Sequence, residues 1–128
     1  MKRAALIALV VVALPPAAVA CGVTTTKHYT LLKSRPCLAR IGKIAGPAQY
    51  GGVPAGGEAV AALQKHNSMI IELFFMRTAT KAVAYLNRGF PPGLTATKGN
   101  VVIWIHQPNA GGTQPSNVDL IAVERCLA

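Results

Sequence analysis

Three apolar runs separated by turn residues place the strongest constraint on the fold of this chain. The runs at residues 58–64 and 68–76 flank the tripeptide 65–67, a spacing that predicts a β-hairpin in which Asn67 tolerates a left-handed conformation. The third run, residues 100–106, contains Val-Val-Ile-Trp-Ile and is the strongest strand signal in the chain. The runs therefore predict a three-stranded, mainly antiparallel sheet.

Helices are predicted before, between and after these strands, because each segment begins at a residue that can cap it. The capping residues are Ser34 for the first helix, Thr78 or Thr80 for the middle helix and, for the last, Ser116 with Asp119 in the spacing of a capping box. Gly42 and Gly89 end the first two helices. The order helix, hairpin, helix, strand, helix predicts an α+β fold, a two-layer sandwich whose helices pack on one face of the sheet.

Alternation along the strands assigns their side chains to two faces of the sheet. The face that we expect to form the core carries Met69, Ile71, Leu73, Phe75, Val101, Ile103 and Ile105. The second face carries Ile70, Glu72, Phe74, Val102, Trp104 and His106. It is too apolar to face water, so we expect the chain's own long loops, a second copy in a homodimer or a bound partner to cover it. These second-face residues are a candidate binding patch.

The first twenty residues have the composition of a signal peptide. Lys2 and Arg3 precede eleven residues, 4–14, without a polar side-chain atom, whereas about twenty are needed to span a bilayer. Two prolines follow, and residues 18–20, Ala-Val-Ala, place small side chains where a signal peptidase cleaves. We therefore expect an exported protein with a signal peptide at 1–20, a tether at 21–30 and a single small domain at 31–128.

Cys21 is the candidate attachment point of a lipid. The run Ala18-Val19-Ala20-Cys21-Gly22 resembles the lipobox of bacterial lipoproteins, which implies that Cys21 becomes the acylated first residue of the mature protein and anchors it in the cell envelope. The alternative is ordinary cleavage before Cys21, which would leave a secreted protein with a free or intermolecularly paired thiol.

The chain has three cysteines, an odd number, although exported domains normally pair their thiols. If Cys21 carries a lipid, Cys37 and Cys126 are left as a pair that closes almost the whole mature chain into one loop. A metal site is the alternative, but the cysteines are dispersed and have neither C-x-x-C spacing nor a paired histidine. We expect a disulfide between Cys37 and Cys126 and no metal or other cofactor.

Basic residues outnumber acidic ones and are concentrated near the proposed anchor. Removal of residues 1–20 takes away Lys2 and Arg3, which leaves eleven Lys or Arg, four Asp or Glu and a net charge of +7. Residues 21–57 contain no acidic side chain. Because export separates the protein from nucleic acid, we expect its polyanionic partner to be an anionic membrane surface or a cell-wall polymer. The alternative is that the charge only keeps the protein soluble.

The middle helix has a candidate basic surface. At 100° per residue, one side of the helix carries Arg77, Lys81 and Arg88, with Tyr85 at its margin. The opposite side, which we expect to face the core, carries Ala79, Ala82, Val83 and Leu86. A basic side could contact a polyanion, and a solvated helix face is the alternative.

The motifs of the mature chain resemble those of a group of small exported proteins from high-GC Gram-positive bacteria. The shared features are Ser-Arg-Pro-Cys-Leu at 34–38, a hairpin that leads straight into a helix, an Asn-Val-Val strand start at 100–102 and Glu-Arg-Cys-Leu at 124–127. The resemblance implies a paired Cys37 and Cys126, and it implies no activity.

Residues for catalysis are sparse, and we assign none. His28, His66 and His106 fall in a tether, a turn and a strand end, whereas a hydrolase needs a nucleophile, a base and an orienting group brought together. The sequence contains no G-x-S-x-G motif. We therefore expect a non-enzymatic exported or lipid-anchored envelope module with a binding or structural role, and a small secreted enzyme of unknown reaction is the alternative.

Overall fold

The computed structural model describes residues 27–45, 52–65, 69–107 and 114–128. The elements follow in the order α1 (Leu31–Ile41), β1 (Lys43–Ala45), β2 (Gly57–Gln64), β3 (Ile70–Met76), α2 (Ala79–Asn87), β4 (Leu94–Lys98), β5 (Val101–His106) and α3 (Asn117–Cys126). The proposed signal peptide, Cys21 and the turn residues 66 and 67 lie outside the described residues. Within those residues, no helix is long and apolar enough to cross a membrane.

The three predicted strands form the centre of the sheet. β2 and β3 pair as an antiparallel hairpin with Val60 opposite Phe74, and β5 pairs antiparallel with β3 so that Trp104 lies opposite Glu72. The strand order is β1-β2-β3-β5-β4, and every described pairing is antiparallel. The α+β class and the hairpin are therefore confirmed.

The prediction of three strands is wrong, because two short strands extend the sheet at its edges. β1 has only three residues, too few for alternation to be recognised, and it pairs with β2 through Ile44 and Leu63. β4 pairs with β5, but all of its residues are half-buried, so it lacks the contrast between a buried and an exposed face that marks a strand in the sequence. The described sheet therefore has five strands.

The helices lie on both faces of the sheet, so the predicted two-layer arrangement with helices on one face is also wrong. α1 and α3 pack together on the face of Ile71 and Ile103, whereas α2 packs through Ala82 on the face of Phe74. α2 connects β3 to β4, which lie on either side of β5 and run parallel to each other, because each pairs antiparallel with β5. The handedness rule for parallel crossovers applies to such a connection, but β4 was not predicted, so the face of α2 did not follow from the sequence. The apolar second face favours α2 there, because the contact removes apolar surface from water.

The main core lies between the sheet and the layer formed by α1 and α3. The helices contribute Leu38 and Val123, both fully buried. The strands, with Met69 directly before β3, contribute the residues predicted for the core face, each at most 4% exposed: Met69, Ile71, Leu73, Phe75, Val101, Ile103 and Ile105. The alternation predicted for these strands is confirmed.

A disulfide joins α1 to α3 within this layer. The Cα atoms of Cys37 and Cys126 are 5.2 Å apart, and their sulfur atoms lie at bonding distance. The predicted pair is therefore confirmed. The two cysteines are separated by 89 positions in the sequence, and on the chain-entropy model closure of a loop of that size stabilises the fold by about 4 to 5 kcal/mol.

α1 begins earlier than predicted, and Ser34 is not its cap. The N-cap is Thr30, whose hydroxyl accepts a hydrogen bond from the N–H of Lys33 at 3.3 Å. Ser34 lies one turn into the helix and is buried; its hydroxyl donates to the carbonyl of Ala128 at 3.2 Å and accepts from the N–H of Ala128 at 2.9 Å. Threonine and serine both cap helices, and here Thr30 takes that role while the Ser34 hydroxyl is used by Ala128.

The domain also begins earlier than residue 31, so part of the predicted tether is wrong. Tyr29 is buried, and its N–H donates to Oδ1 of Asn100 at 2.7 Å. Nδ2 of Asn100 donates to the carbonyl oxygens of Tyr29 and Met76, at 2.9 and 2.8 Å. The buried amide of Asn100 thus fixes residues 27–30 to the start of β5, and the rest of the predicted tether lies outside the described residues.

Candidate functional site

The second face of the sheet carries an open groove, here called the aromatic groove, between β3, β5, α2 and the segment that follows α2. Its volume is about 320 Å³, and the residues that line it are Gly52, Glu72, Phe74, Tyr85, Gly89, Phe90, Pro91 and Trp104. Glu72 and Phe74 occupy alternate positions of β3, and Trp104 lies opposite Glu72 on β5. Strand alternation therefore brings these three side chains to one place.

Gly89 turns the chain after α2 and returns Phe90 to the sheet. The φ angle of Gly89 is 86°, in the left-handed region that residues with a Cβ rarely adopt. The ring of Phe90 then lies 5.7 Å from that of Phe74, 5.3 Å from that of Tyr85 and 5.4 Å from that of Trp104, measured between centroids. These four rings form a continuous surface, here called the aromatic wall.

A buried carboxylate–imidazole pair lies beside the aromatic wall. Oε2 of Glu72 is 2.8 Å from Nε2 of His106, and the two side chains are 4% and 12% exposed. Burial of an unpaired carboxylate would cost several kcal/mol, and His106 supplies the partner. The imidazole also stacks on the indole of Trp104, with centroids 3.7 Å apart. His106 therefore contacts both Glu72 and Trp104 and holds them in place.

Trp104 is held in place by ring contacts rather than by a hydrogen bond. Its Nε1 is buried and has no hydrogen-bond partner among the described residues. Gly93 packs closely on it, since a Cβ at that position would come within 2.6 Å of Nε1. A buried donor without an acceptor costs about 1 to 3 kcal/mol, which the stacking on His106 and Phe90 has to offset.

Tyr85 separates the aromatic groove from a second groove. Burial raises the pKa of the Tyr85 phenol above its ordinary value of 10.0, and the nearby carboxylate of Glu72 raises this pKa further, while Arg88 lowers it. The phenol is therefore protonated at neutral pH and can donate a hydrogen bond.

The second groove, here called the basic groove, contains two of the three predicted basic residues. It has a volume of about 230 Å³ and is lined by Ala55, Gly56, Lys81, Ala84, Tyr85 and Arg88. Lys81 precedes Tyr85 by four positions and Arg88 follows it by three, so the three side chains share one side of the helical turn. Arg77 lies before α2, where its backbone N–H donates to the carbonyl of Gly56 at 3.0 Å.

The orientation of α2 agrees only partly with the sequence prediction. Ala82 is buried and Leu86 packs against the second face, as expected. Val83, which we expected to face the core, is 47% exposed. Tyr85, which we expected at the margin of the basic side, packs against the second-face cluster. The aromatic ring buries more apolar area than valine and can contact Phe74, which favours this rotation of the helix.

The structure brings only part of the candidate binding patch to the aromatic groove. Glu72, Phe74 and Trp104 line it, and His106 contacts two of these residues. Val102 is fully buried in the cluster formed with α2, and Ile70 is 5% exposed near the end of β3 that lies opposite His106. Tyr85 and Phe90 were not identified as site residues from the sequence. Phe90 could have been found from its position, because an aromatic side chain directly follows the glycine that ends a helix.

Two further ion pairs are found among the described residues. His28 Nε2 lies 3.1 Å from Glu58 Oε2 at the surface, and Lys65 Nζ lies 3.0 Å from Asp119 Oδ1. In the part of the chain that the structure describes, no cluster of three or more His, Cys, Asp or Glu side chains could hold a metal ion.

Comparison of the chain with protein-family models, with curated proteins and with solved structures found no match. The resemblance to small exported proteins of high-GC Gram-positive bacteria therefore stays a prediction. Function has to be inferred from the two grooves themselves.

Proposed function

We propose that this chain is a non-enzymatic exported module that binds a small ligand in the aromatic groove. The position of Glu72 supports this most directly, because its side chain is only 4% exposed and yet lines a groove of about 320 Å³. Stability alone would favour an apolar residue there, since burial of a carboxylate is costly even when it is paired. Ligand sites combine such a polar group with apolar and aromatic walls.

The same residues favour binding over catalysis. A general base needs an atom that reaches the substrate, but His106 is not among the residues that line the groove, and its ring is stacked on Trp104. The raised pKa of Tyr85 makes its phenol a poor nucleophile at neutral pH. Among the described residues that line the groove, none is a serine, threonine or cysteine.

A small secreted enzyme is the second candidate, and the Glu72–His106 pair is the observation that favours it. A carboxylate 2.8 Å from an imidazole is the arrangement that orients a general base in hydrolases. In those enzymes the imidazole faces the substrate and the carboxylate lies behind it. Here the carboxylate of Glu72 lines the groove and the imidazole lies behind it, which is the reverse arrangement. The pair is therefore better suited to hold a carboxylate beside a ligand than to act as a base.

We further propose that the module works at the cell envelope, either anchored by a lipid on Cys21 or secreted. The Cys37–Cys126 disulfide is compatible with export. Lys33, Arg35 and Arg40 are exposed along α1, a short distance in sequence after Cys21, so an anionic membrane surface or cell-wall polymer would attract this side of the domain. A homodimer through the second face is less well supported, because α2 and Phe90 already cover part of that face.

Trp104 gives a direct test of binding, because it is the only tryptophan in the chain and it lines the aromatic groove. The purified protein carrying Cys21→Ser is titrated with N-acetylglucosamine, choline, inorganic phosphate and phosphocholine, which are neutral, cationic, anionic and zwitterionic. At least one of these should change the tryptophan emission saturably, because a ligand in the groove alters the environment of the indole.

Two variants show whether such a response comes from the groove. Phe90→Ala removes part of the aromatic wall and should weaken or abolish the response. Val118→Ala is the matched control, since Val118 is 76% exposed on α3, in the layer on the other face of the sheet, and it should leave the response unchanged. If none of the four ligands gives a saturable response, the proposed function is wrong.

A further inference from the structure

The charges around Tyr85 are divided between its two sides. The aromatic groove on one side contains the carboxylate of Glu72, and the basic groove on the other side contains Lys81 and Arg88. Tyr85 lines both grooves. A ligand that spans Tyr85 would therefore meet a negative charge at one end and positive charges at the other.

The aromatic groove is suited to a cation. The faces of aromatic rings carry partial negative charge, and they attract an ammonium group that lies within about 6 Å of a ring centroid. The four rings of the aromatic wall adjoin one another, with neighbouring centroids 5.1 to 5.7 Å apart, and the carboxyl group of Glu72 lines the same groove. An alkylated ammonium group matches this lining best, because its methyl groups are apolar and its positive charge needs no hydrogen-bond acceptor.

The basic groove is suited to an anion that lies close to that cation. Lys81 provides a compact positive charge and Arg88 a planar fork of donors, and both groups bind phosphate. Neighbours at three or four positions along a helix have Cβ atoms about 5 to 6 Å apart. Lys81, Tyr85 and Arg88 have this spacing, so one tyrosine separates the two sites.

The positive net charge of the domain favours a zwitterionic ligand over a ligand that carries only positive charge. With eleven basic and four acidic residues after position 20, the domain repels a ligand that carries only positive charge. A zwitterion experiences no such net repulsion and engages both grooves. We propose, on the basis of the binding function above, that the two grooves form one site for a zwitterionic ligand, with an alkylated ammonium group against Glu72 and a phosphate group against Lys81 and Arg88.

Calorimetric titration with phosphocholine, choline and inorganic phosphate tests this proposal. Phosphocholine should bind at least about tenfold more tightly than either choline or phosphate, because only phosphocholine fills both grooves. Equal affinity for choline and phosphocholine, or for phosphate and phosphocholine, would overturn the proposal, because a single groove would then account for the binding.

Variants assign each half of the ligand to its groove. Glu72→Gln should weaken phosphocholine binding by at least about tenfold and leave phosphate binding unchanged, whereas Lys81→Ala combined with Arg88→Ala should weaken phosphate binding and leave choline binding unchanged. Val83→Ala is the control on the same helix, since Val83 is 47% exposed. If Glu72→Gln does not fold, Phe90→Ala replaces it and should weaken choline and phosphocholine binding alone. Variants that weaken all three ligands equally would contradict the assignment.

The outcome also separates this inference from the proposed function. If N-acetylglucosamine gives a saturable tryptophan response and phosphocholine does not bind, the proposed function stands and the proposal of a zwitterionic ligand is wrong. If no ligand binds, both proposals fail.

Phosphatidylcholine vesicles distinguish the source of the ligand. Co-sedimentation that free phosphocholine displaces would identify a lipid headgroup, and binding of phosphocholine without co-sedimentation would identify a free ligand.

Discussion

Glu72 on β3 and His106 on β5 occupy diagonal positions on one face of the sheet, because Glu72 lies opposite Trp104 and His106 follows two residues later. Diagonal neighbours are within reach of long side chains, and here Oε2 and Nε2 lie 2.8 Å apart. The indole of Trp104 stacks on the imidazole at 3.7 Å. The three side chains therefore form one unit on the second face.

Removal of one member of the Glu72–His106 pair should be more harmful than removal of both. His106→Leu leaves a buried carboxylate without its partner and should lower the free energy of unfolding by about 3 to 5 kcal/mol. The double variant Glu72→Leu with His106→Leu should lose less than His106→Leu alone, because no charge remains buried. Urea unfolding measures both values, and strictly additive losses would show that the two side chains are not coupled.

The disulfide should behave as one shared bond between α1 and α3. Cys37→Ala and Cys126→Ala should each lower the free energy of unfolding by about 2 to 5 kcal/mol, and the double variant should lose little more than either single variant. Thermal or chemical unfolding under non-reducing conditions checks this. Losses that add in the double variant would indicate two independent buried thiols.

The centre of the fold could be predicted from the sequence because its signals are local. The hairpin of β2 and β3 and the strand β5 are long apolar runs, and side chains such as Ile71 and Phe74 alternate between the two faces as expected. β1 and β4 were missed because edge strands of three and five residues carry no clear alternation. The face that α2 occupies was also missed, since it depends on the position of β4, the strand into which α2 leads.

Asp119 should make the stability of the domain depend on pH. Burial alone would raise the pKa of its carboxyl, but hydrogen bonds from Lys65 and from the N–H and hydroxyl of Ser116 lower this pKa below the ordinary value of 3.8. A lowered pKa in the folded state means that the carboxylate stabilises the fold above about pH 4. This contribution is lost as the pH falls through the lowered pKa.

The comparison of the native protein with Asp119→Asn measures that contribution. At pH 7 the variant should be less stable by about 1 kcal/mol, because it loses the charge that caps α3 and pairs with Lys65. The difference should shrink as the pH falls from 4 to 3, which thermal unfolding across the range would show. A difference that stays constant down to pH 3 would mean that the carboxylate does not stabilise the fold in this way.

The candidate site was predictable only where it depends on strand alternation. Glu72, Trp104 and His106 were grouped correctly on one face because their strands are regular. Tyr85 and Phe90 complete the aromatic groove, but their positions depend on the rotation of α2 and on the turn at Gly89. Neither is determined by periodicity within α2, so the groove became visible only when the helix was placed on the second face.

Cys21 should determine where the protein is found in the cell. If the lipid is attached to its thiol, Cys21→Ser removes the attachment atom and should move the protein from the membrane fraction to the medium. Cell fractionation followed by immunodetection measures this, and Val118→Ala, at a position that is 76% exposed, serves as the control that should leave the distribution unchanged. A native protein that is already entirely in the soluble fraction would contradict lipid anchoring and favour ordinary secretion.

The indole N–H resonance of Trp104 tests most directly that the domain binds a ligand in its aromatic groove without transforming it. The chain contains one tryptophan, so this signal is a single peak in a proton–nitrogen correlation spectrum. Addition of phosphocholine should shift the peak until binding saturates at about one ligand per domain, while the phosphorus spectrum shows only intact phosphocholine after prolonged incubation. An indole peak that does not move with phosphocholine or any other member of the ligand set, or a new phosphorus signal from a product, would contradict this account.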